Sequence, residues 1–218
     1  MLSGNADQWL DHFVTLEERV AAAVEAVWLN CIAPLQSQKG SMTHEDYITN
    51  HLVNWLKKSR SVPGRIVPQY ALLTPALNGI IQLTSKIDFV VTIGDDEDVY
   101  LACECKRLNV PYKGKVRSLA SEYVAEGLAR FVTCQYANGL PVAMMIGYVM
   151  DGQLPVAHGR LKKALHRSRV VALVAEDHSL AHSGQSIRFC TTHNCVGGQK
   201  IDVRHTLLGW SWNSSNSD

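Results

Sequence analysis

KIDFVVTI (86–93), GDDED (94–98) and VYLACECK (99–106) form one pattern, two alternating runs on either side of a turn-rich acidic pentapeptide. Paired as a symmetric antiparallel hairpin centred on Asp96, they set Asp88 opposite Glu104 and Lys86 opposite Lys106. Side chains alternate between the two faces of a strand. One face then carries Ile87, Phe89, Val91, Ile93, Val99, Leu101, Cys103 and Cys105, all apolar, and is expected in the core. The other carries Asp88, Glu104 and Lys106 beside Val90, Thr92, Tyr100 and Ala102.

The rest of the chain reads outward from this hairpin. Upstream, residues 6–33 predict a long, alanine-rich amphipathic helix ended by Pro34. Thr43 suits the N-cap of a second helix, from His44 to about Lys58, and a strand follows near Ile66–Leu73. Downstream, a helix is expected over about Val116–Tyr136, closed by Asn138-Gly139, and then an apolar strand over Pro141–Val149. A short basic helix near Val156–Arg167 precedes a strand at Val170–Ala175. The last pair of strands, Ile187–His193 and Ile201–Leu208, flanks a turn at Val196–Gln199. Strands lying mid-chain between helices belong to a sheet covered on both faces, so the fold class is mixed α/β.

Two carboxylates directly opposite on a sheet repel, with Cβ atoms roughly 4.5–5.5 Å apart. That spacing suits convergence on one hard divalent cation, which turns the repulsion into coordination. Lys106 projects beside the same point, where an ammonium orients a water or offsets charge on a phosphate oxygen. The alternative is a solvent-facing hairpin with an ordinary Glu–Lys pair. Glu104-Cys105-Lys106 is the only Glu-x-Lys in the 218 residues, and there is no Asp-x-Lys.

Asp88, fifteen intervening residues and Glu104-Cys105-Lys106 resemble the signature of the PD-(D/E)xK nuclease superfamily, the restriction-endonuclease-like fold. Lys86-Ile87 stands where that signature has its proline. The superfamily's core order, αβββαβ, matches the elements expected over 44–149, about half of the chain. The resemblance implies a single domain built on such a core, with an added N-terminal helix (about 6–33) and a C-terminal extension (150–212) of a helix and a β-hairpin. It also implies Mg²⁺-dependent hydrolysis of phosphodiesters, with Mn²⁺ able to substitute. Asp88 and Glu104 would be metal ligands together with the backbone carbonyl of Cys105, and Lys106 would position the water and stabilise the transition state. An acidic residue on the first core helix is frequent in the superfamily, and Glu45 occupies that place. It falls in line with Ile48, Leu52, Trp55 and Leu56, so it should face the sheet while Asp46 faces away.

The implied activity is that of a DNA endonuclease in restriction, phage defence or repair. RNA cleavage, structure-specific cutting of junctions, or a non-catalytic nucleic-acid-binding or assembly subunit are the alternatives. Lys113, Lys115 and Arg117, just past the motif, are the expected phosphate-backbone contacts. In the following helix, Ala120, Val124, Leu128 and Phe131 form the core stripe, and Glu126 and Arg130 read as a surface ion pair. Tyr123 and Gln135 are weaker candidates for substrate contact. Helix 6–33 could dock a second copy or a partner subunit, or cover the sheet.

Composition bounds the remaining classes. Net charge is +1, yet positive residues cluster at 57–65, 106–117 and 160–169 and acidic ones at 95–98, so basic patches on a neutral chain still suit a polyanion. The longest apolar run, Leu140–Met150, is too short to span a bilayer, and MLSGNADQWLDHF lacks the features of a signal peptide. A soluble, cytoplasmic protein is expected, without membrane association. Six cysteines with no CxxC pair read as core filling in a reducing compartment. His178-x3-His182 and Cys190-x2-His193-x-Cys195 match no common zinc module, and Gly197-Gly198 is a turn with no GK[ST] after it.

Overall fold

The computed structural model describes residues 15–36, 44–75, 81–93, 100–177 and 182–210. Helices α1 (Leu16–Gln36) and α2 (Glu45–Ser59) come first. Strands β1 (Arg65–Pro75), β2 (Ile81–Thr92) and β3 (Tyr100–Leu108) follow, then a small hairpin of β4 (Val110–Tyr112) and β5 (Lys115–Arg117). Helix α3 is one continuous run, α-helical over Ala120–Glu122, π-helical over Tyr123–Leu128 and α-helical again over Ala129–Val132. After it come β6 (Val142–Val149), α4 (Leu154–Arg167), β7 (Leu173–Asp177), β8 (His182–Ser183), β9 (Ser186–Asn194) and β10 (Lys200–Gly209).

The strands form a mixed sheet in the order β1-β2-β3-β6-β10-β9-β7, with β8 paired to β9. β3, β6 and β10 run parallel and occupy its centre; the other pairs are antiparallel. A parallel step needs a crossover, and α3 supplies the one between β3 and β6. α1 and α2 cover one face, burying Val24, Trp28, Leu52 and Leu56 against Phe89, Cys103, Cys105 and Tyr148. α3 and α4 cover the other, where Val124, Leu128, Leu161 and Leu165 meet Val90, Ala102, Met145 and Leu207. With both faces covered, Ala143 to Val149 of β6 is buried without interruption, as a central parallel strand requires. Trp28 fixes α1 to the sheet by stacking on Tyr148 at 5.4 Å and donating its indole N–H to the Gly209 carbonyl at 2.8 Å. The described part of the N-terminal helix therefore turns its apolar face onto its own sheet.

Several elements differ from the sequence expectation. α1 does not stop at Pro34 but runs through it to Gln36. The bond that proline removes is to the carbonyl of Asn30, a solvent-exposed residue, while buried Leu35 holds the last turn in place. α3 starts at Ala120 and not at Val116, because Lys115–Arg117 pair with Val110–Tyr112. It ends at Val132, where Cys134 (φ 58°) and Ala137 (φ 50°) take up left-handed conformations ahead of Gly139 (φ 81°). The strand expected at Val170–Ala175 is displaced to Leu173–Asp177, whereas the last hairpin lies where alternation put it. Residues 6–14, Thr43, the GDDED turn with Val99, and His178 lie outside the described residues. Cys103 and Cys105 are buried on one face, and the six cysteines are free thiols. No described helix is long and apolar enough to cross a membrane.

Candidate active site

The β2–β3 ladder has the expected register from Thr92↔Tyr100 to Phe89↔Cys103, and there it stops. The pairings Asp88–Glu104 and Lys86–Lys106 are not formed. β2 continues with β1 as far as Ile81, while β3 follows β6 from Ala102↔Ala143 to Leu108↔Val149. The two strands thus fork at Asp88. The carboxylate of Asp88 takes over from the missing main-chain partner, accepting the Cys105 N–H on Oδ2 at 2.7 Å. Alternation along β2 also breaks at this point. Ile87 packs with Val90 under α3, not with Phe89 and Val91 under α1 and α2, and Ile93 at the other end is exposed. A pair of opposed like charges is relieved by the split.

Four residues meet at the fork. Lys106 Nζ donates to Glu45 Oε1 at 2.8 Å, to Glu104 Oε1 at 3.0 Å and to the Cys105 carbonyl at 3.0 Å. Glu45 lies in the first turn of α2, whose stripe Ile48, Leu52 and Leu56 is buried on the sheet; its other oxygen accepts the Arg107 N–H at 2.9 Å. One acidic side chain of α2 thus reaches across to β3 and grips the strand next to the lysine. Asp46 is exposed, in line with its expected orientation away from the sheet, and it also lines the same cleft, a volume of about 410 Å³. Glu126 and Arg117 also line it, while Lys113 and Lys115 are not among its lining residues. Lys113 sits instead over the ring of Tyr112, 5.2 Å from its centre.

Glu104 is the most confined group here, with 1% of its side chain exposed. Its Oε1 is shared between Lys106 and Arg130 Nη1, the latter at 3.0 Å, and its Oε2 is buried without a hydrogen-bond partner among the described residues. Burial, reinforced by Asp88, pushes the Glu104 carboxyl up to about 7 against the pull of Lys106 and Arg130. Burial likewise raises Asp88 to about 6, opposed by the Cys105 N–H and Lys106. Burial acts to lower the Lys106 ammonium, but Glu104, Glu45 and Asp88 outweigh it and hold Lys106 above its usual value.

Arg130 was expected to pair with Glu126 on the surface. Its guanidinium instead joins Glu104 to the hydroxyl of Tyr136, which in turn donates to the Lys86 carbonyl, so that it ties α3 to both arms of the fork. The π-helical turn between Tyr123 and Leu128 shifts Arg130 out of the ordinary four-residue spacing. The signal available in the sequence was Gly127 inside a helix. A Cβ there would lie 2.6 Å from Met145 Cε and 3.3 Å from Lys106 Cγ, so α3 packs closely on the lysine. Tyr123 is no substrate contact: it is fully buried, and its hydroxyl bonds His205 Nδ1 at 3.0 Å. Gln135 is exposed on the segment after α3. His193 is engaged with Thr191 at 2.7 Å, and burial lowers it to about 4.

Among the described residues, no group of three or more His, Cys, Asp or Glu side chains is arranged to hold a metal ion. The donor set at the fork is of another kind, two carboxylates and a main-chain carbonyl. Its fit to a hard cation rests on Glu104 Oε2, a buried carboxyl oxygen with no hydrogen-bond partner among the described residues, and on oxygen-only donors. Comparison with protein-family models, curated proteins and solved structures finds no match.

Proposed function

We propose that this chain is a metal-dependent nuclease of the PD-(D/E)xK type that hydrolyses phosphodiester bonds of DNA, and that its αβββαβ elements are a restriction-endonuclease-like core. The observation that carries the reading is the buried Glu104 carboxylate, with one oxygen shared by two cations and the other without a partner among the described residues, at a fork shared with Asp88, Lys106 and Glu45. Buried carboxylates whose proton affinity is raised, set beside a cation in a cleft, are characteristic of functional sites.

Asp88, Glu104 and the Cys105 carbonyl would hold Mg²⁺, or Mn²⁺ in its place. When bound, the ion supplies Lewis acidity toward a phosphate oxygen and eases ionisation of a water. Lys106 stays protonated through neutral pH, because its carboxylate neighbours favour the charged form. Its ammonium can hold the attacking water or donate to a non-bridging oxygen as negative charge accumulates there. Glu45 keeps that ammonium in place through one oxygen and anchors the strand through the other. Arg130 offsets charge on Glu104. Water attacks phosphorus and gives up a proton to solvent, the bond to the leaving oxygen breaks and that oxygen takes a proton from solvent, and no covalent enzyme intermediate forms.

The test is cleavage of plasmid DNA, with single-stranded DNA and RNA alongside, in Mg²⁺, Mn²⁺ or EDTA. Metal-dependent cutting is expected, and Lys106→Ala should lower it by on the order of 10²–10³-fold, the scale of losing one donor to a developing oxyanion. Cutting that persists in EDTA or in the variant overturns the mechanism. A preference for RNA would replace the DNA reading.

A further inference from the structure

A second groove lies between α3 and α4, where the core meets its C-terminal addition. It encloses about 430 Å³ and is lined by Arg160, Lys163 and Arg167 of α4, with the hydroxyl residues Ser118, Ser121 and Ser168. Among the described residues, no carboxylate lines it. The three cations recur at spacings of three and four residues, hence on one face of α4, while Leu154, Ala157, Leu161 and Leu165 bury the opposite side. Lys163 and Arg167 are exposed, and the acid on the neighbouring strand, Glu176, pairs with Lys162 outside the groove. Arg160 is held in position. Its Nη1 donates to Asn109 Oδ1 at 2.9 Å, and buried Asn109 is in turn fixed by Asp151. Asn109 follows directly on β3, the strand of Glu104 and Lys106, so the groove is registered to the site through the main chain.

The groove and the catalytic cleft meet along one segment. Arg117, Leu119 and Glu122 line the cleft, and Ser118, Ala120 and Ser121 line the groove. From Arg160 to Arg167 the helix rises about 10 Å. One DNA strand presents about three phosphates over that axial length, against three cations here. Serine hydroxyls add the neutral donors common at phosphate contacts.

We propose that this groove binds the sugar–phosphate backbone of a nucleic acid strand that continues from the catalytic cleft. What enters the cleft rests on the nuclease reading; the affinity of the groove does not. The test is fluorescence anisotropy with labelled duplex DNA across a salt series in EDTA, comparing the full chain with Lys163→Ala/Arg167→Ala. Both side chains are exposed, and Lys163→Arg/Arg167→Lys serves as the charge-preserving variant. The alanine pair should weaken binding by roughly 10-fold or more near 0.1 M salt and reduce the slope of log K against log salt by about 2. The charge-preserving pair should bind as the parent does. Equal affinity and slope for the alanine pair, equal losses in both variants, or no binding by the parent would overturn the proposal. So would polyglutamate competing as well as DNA at matched charge, since the groove would then be a general anion surface. Hydrolysis is not read in EDTA. A parent that cuts nothing yet binds with this salt dependence overturns the nuclease reading alone, and a parent that cuts but is indifferent to the alanine pair overturns the groove alone.

Discussion

Arg130 takes its partner from electrostatics and not from helix spacing. A solvent-exposed pair with Glu126 gains little, because water screens it. Glu104, with 1% of its side chain exposed, has no water to turn to, so a charge-assisted hydrogen bond there is worth more than one on the surface. The same cation lowers the proton affinity that burial raises in Glu104. Arg130→Ala should therefore raise Glu104 further, and the acid limb of the cleavage rate should move to higher pH by about 1 unit. The loss of activity is then larger at pH 6 than at pH 8, with Arg130→Lys restoring part of it. Rate–pH profiles measured side by side test this, and coincident acid limbs would show that Arg130 does not act through Glu104.

At the scale of the element, α3 is shaped by contact with β3 and β6. Its π-helical turn widens the helix where Tyr123, Val124, Gly127 and Leu128 are buried, and the glycine lets the backbone settle against Lys106 and Met145. Gly127→Ala gains about 1 kcal/mol of helix propensity. Its methyl group would press on the flexible end of Met145 and on the Lys106 stem, an overpacking cost of about 1–3 kcal/mol. Thermal stability should consequently fall by no more than about 2 kcal/mol while cleavage falls clearly, because the displaced stem carries the ammonium. Melting curves and initial rates on the same preparation check the pair of outcomes; a large loss of stability with normal specific activity would contradict it.

For the whole molecule, the covered sheet sets how stability responds to pH and metal. Asp88 and Glu104 have folded-state values near 6 and 7, above the ordinary range near 4. The folded chain binds their protons more tightly than the unfolded one, so their contribution is fully present below about pH 4 and is lost as pH rises through 6 to 7. Above that range both carboxylates are ionised, and a cation has most to offset. In EDTA these two groups should lower the melting temperature between pH 5 and pH 8. Added Mg²⁺ or Mn²⁺ should raise it more at pH 8 than at pH 6. A cation at about five times its dissociation constant stabilises by about 1 kcal/mol, or about 2–4 °C for a chain of this size. Asp88→Asn/Glu104→Gln should abolish the metal response, and an unchanged response would place the cation elsewhere.

The sequence by itself determined the mixed α/β class, most of the element order and the register of β2 on β3 from Phe89 to Thr92. It also brought Asp88, Glu104, Lys106 and Glu45 to one region. Except for the place of Glu45 at the site, which the superfamily resemblance supplied, those features follow from local periodicity, two residues per repeat along a strand and 3.6 along a helix, which the chain carries wherever it goes. Only the tertiary structure decided that β2 and β3 part at Asp88, because β3 leaves to pair with β6, some 40 positions later in the chain. It alone chose Glu104 as the partner of Arg130, since burial, which no spacing records, sets the value of a charge pair. The continuity of the α3–α4 groove with the candidate cleft is likewise a product of packing. Two helices separated by a strand meet on one face of the sheet and turn the basic side of α4 toward the segment that leads into the site.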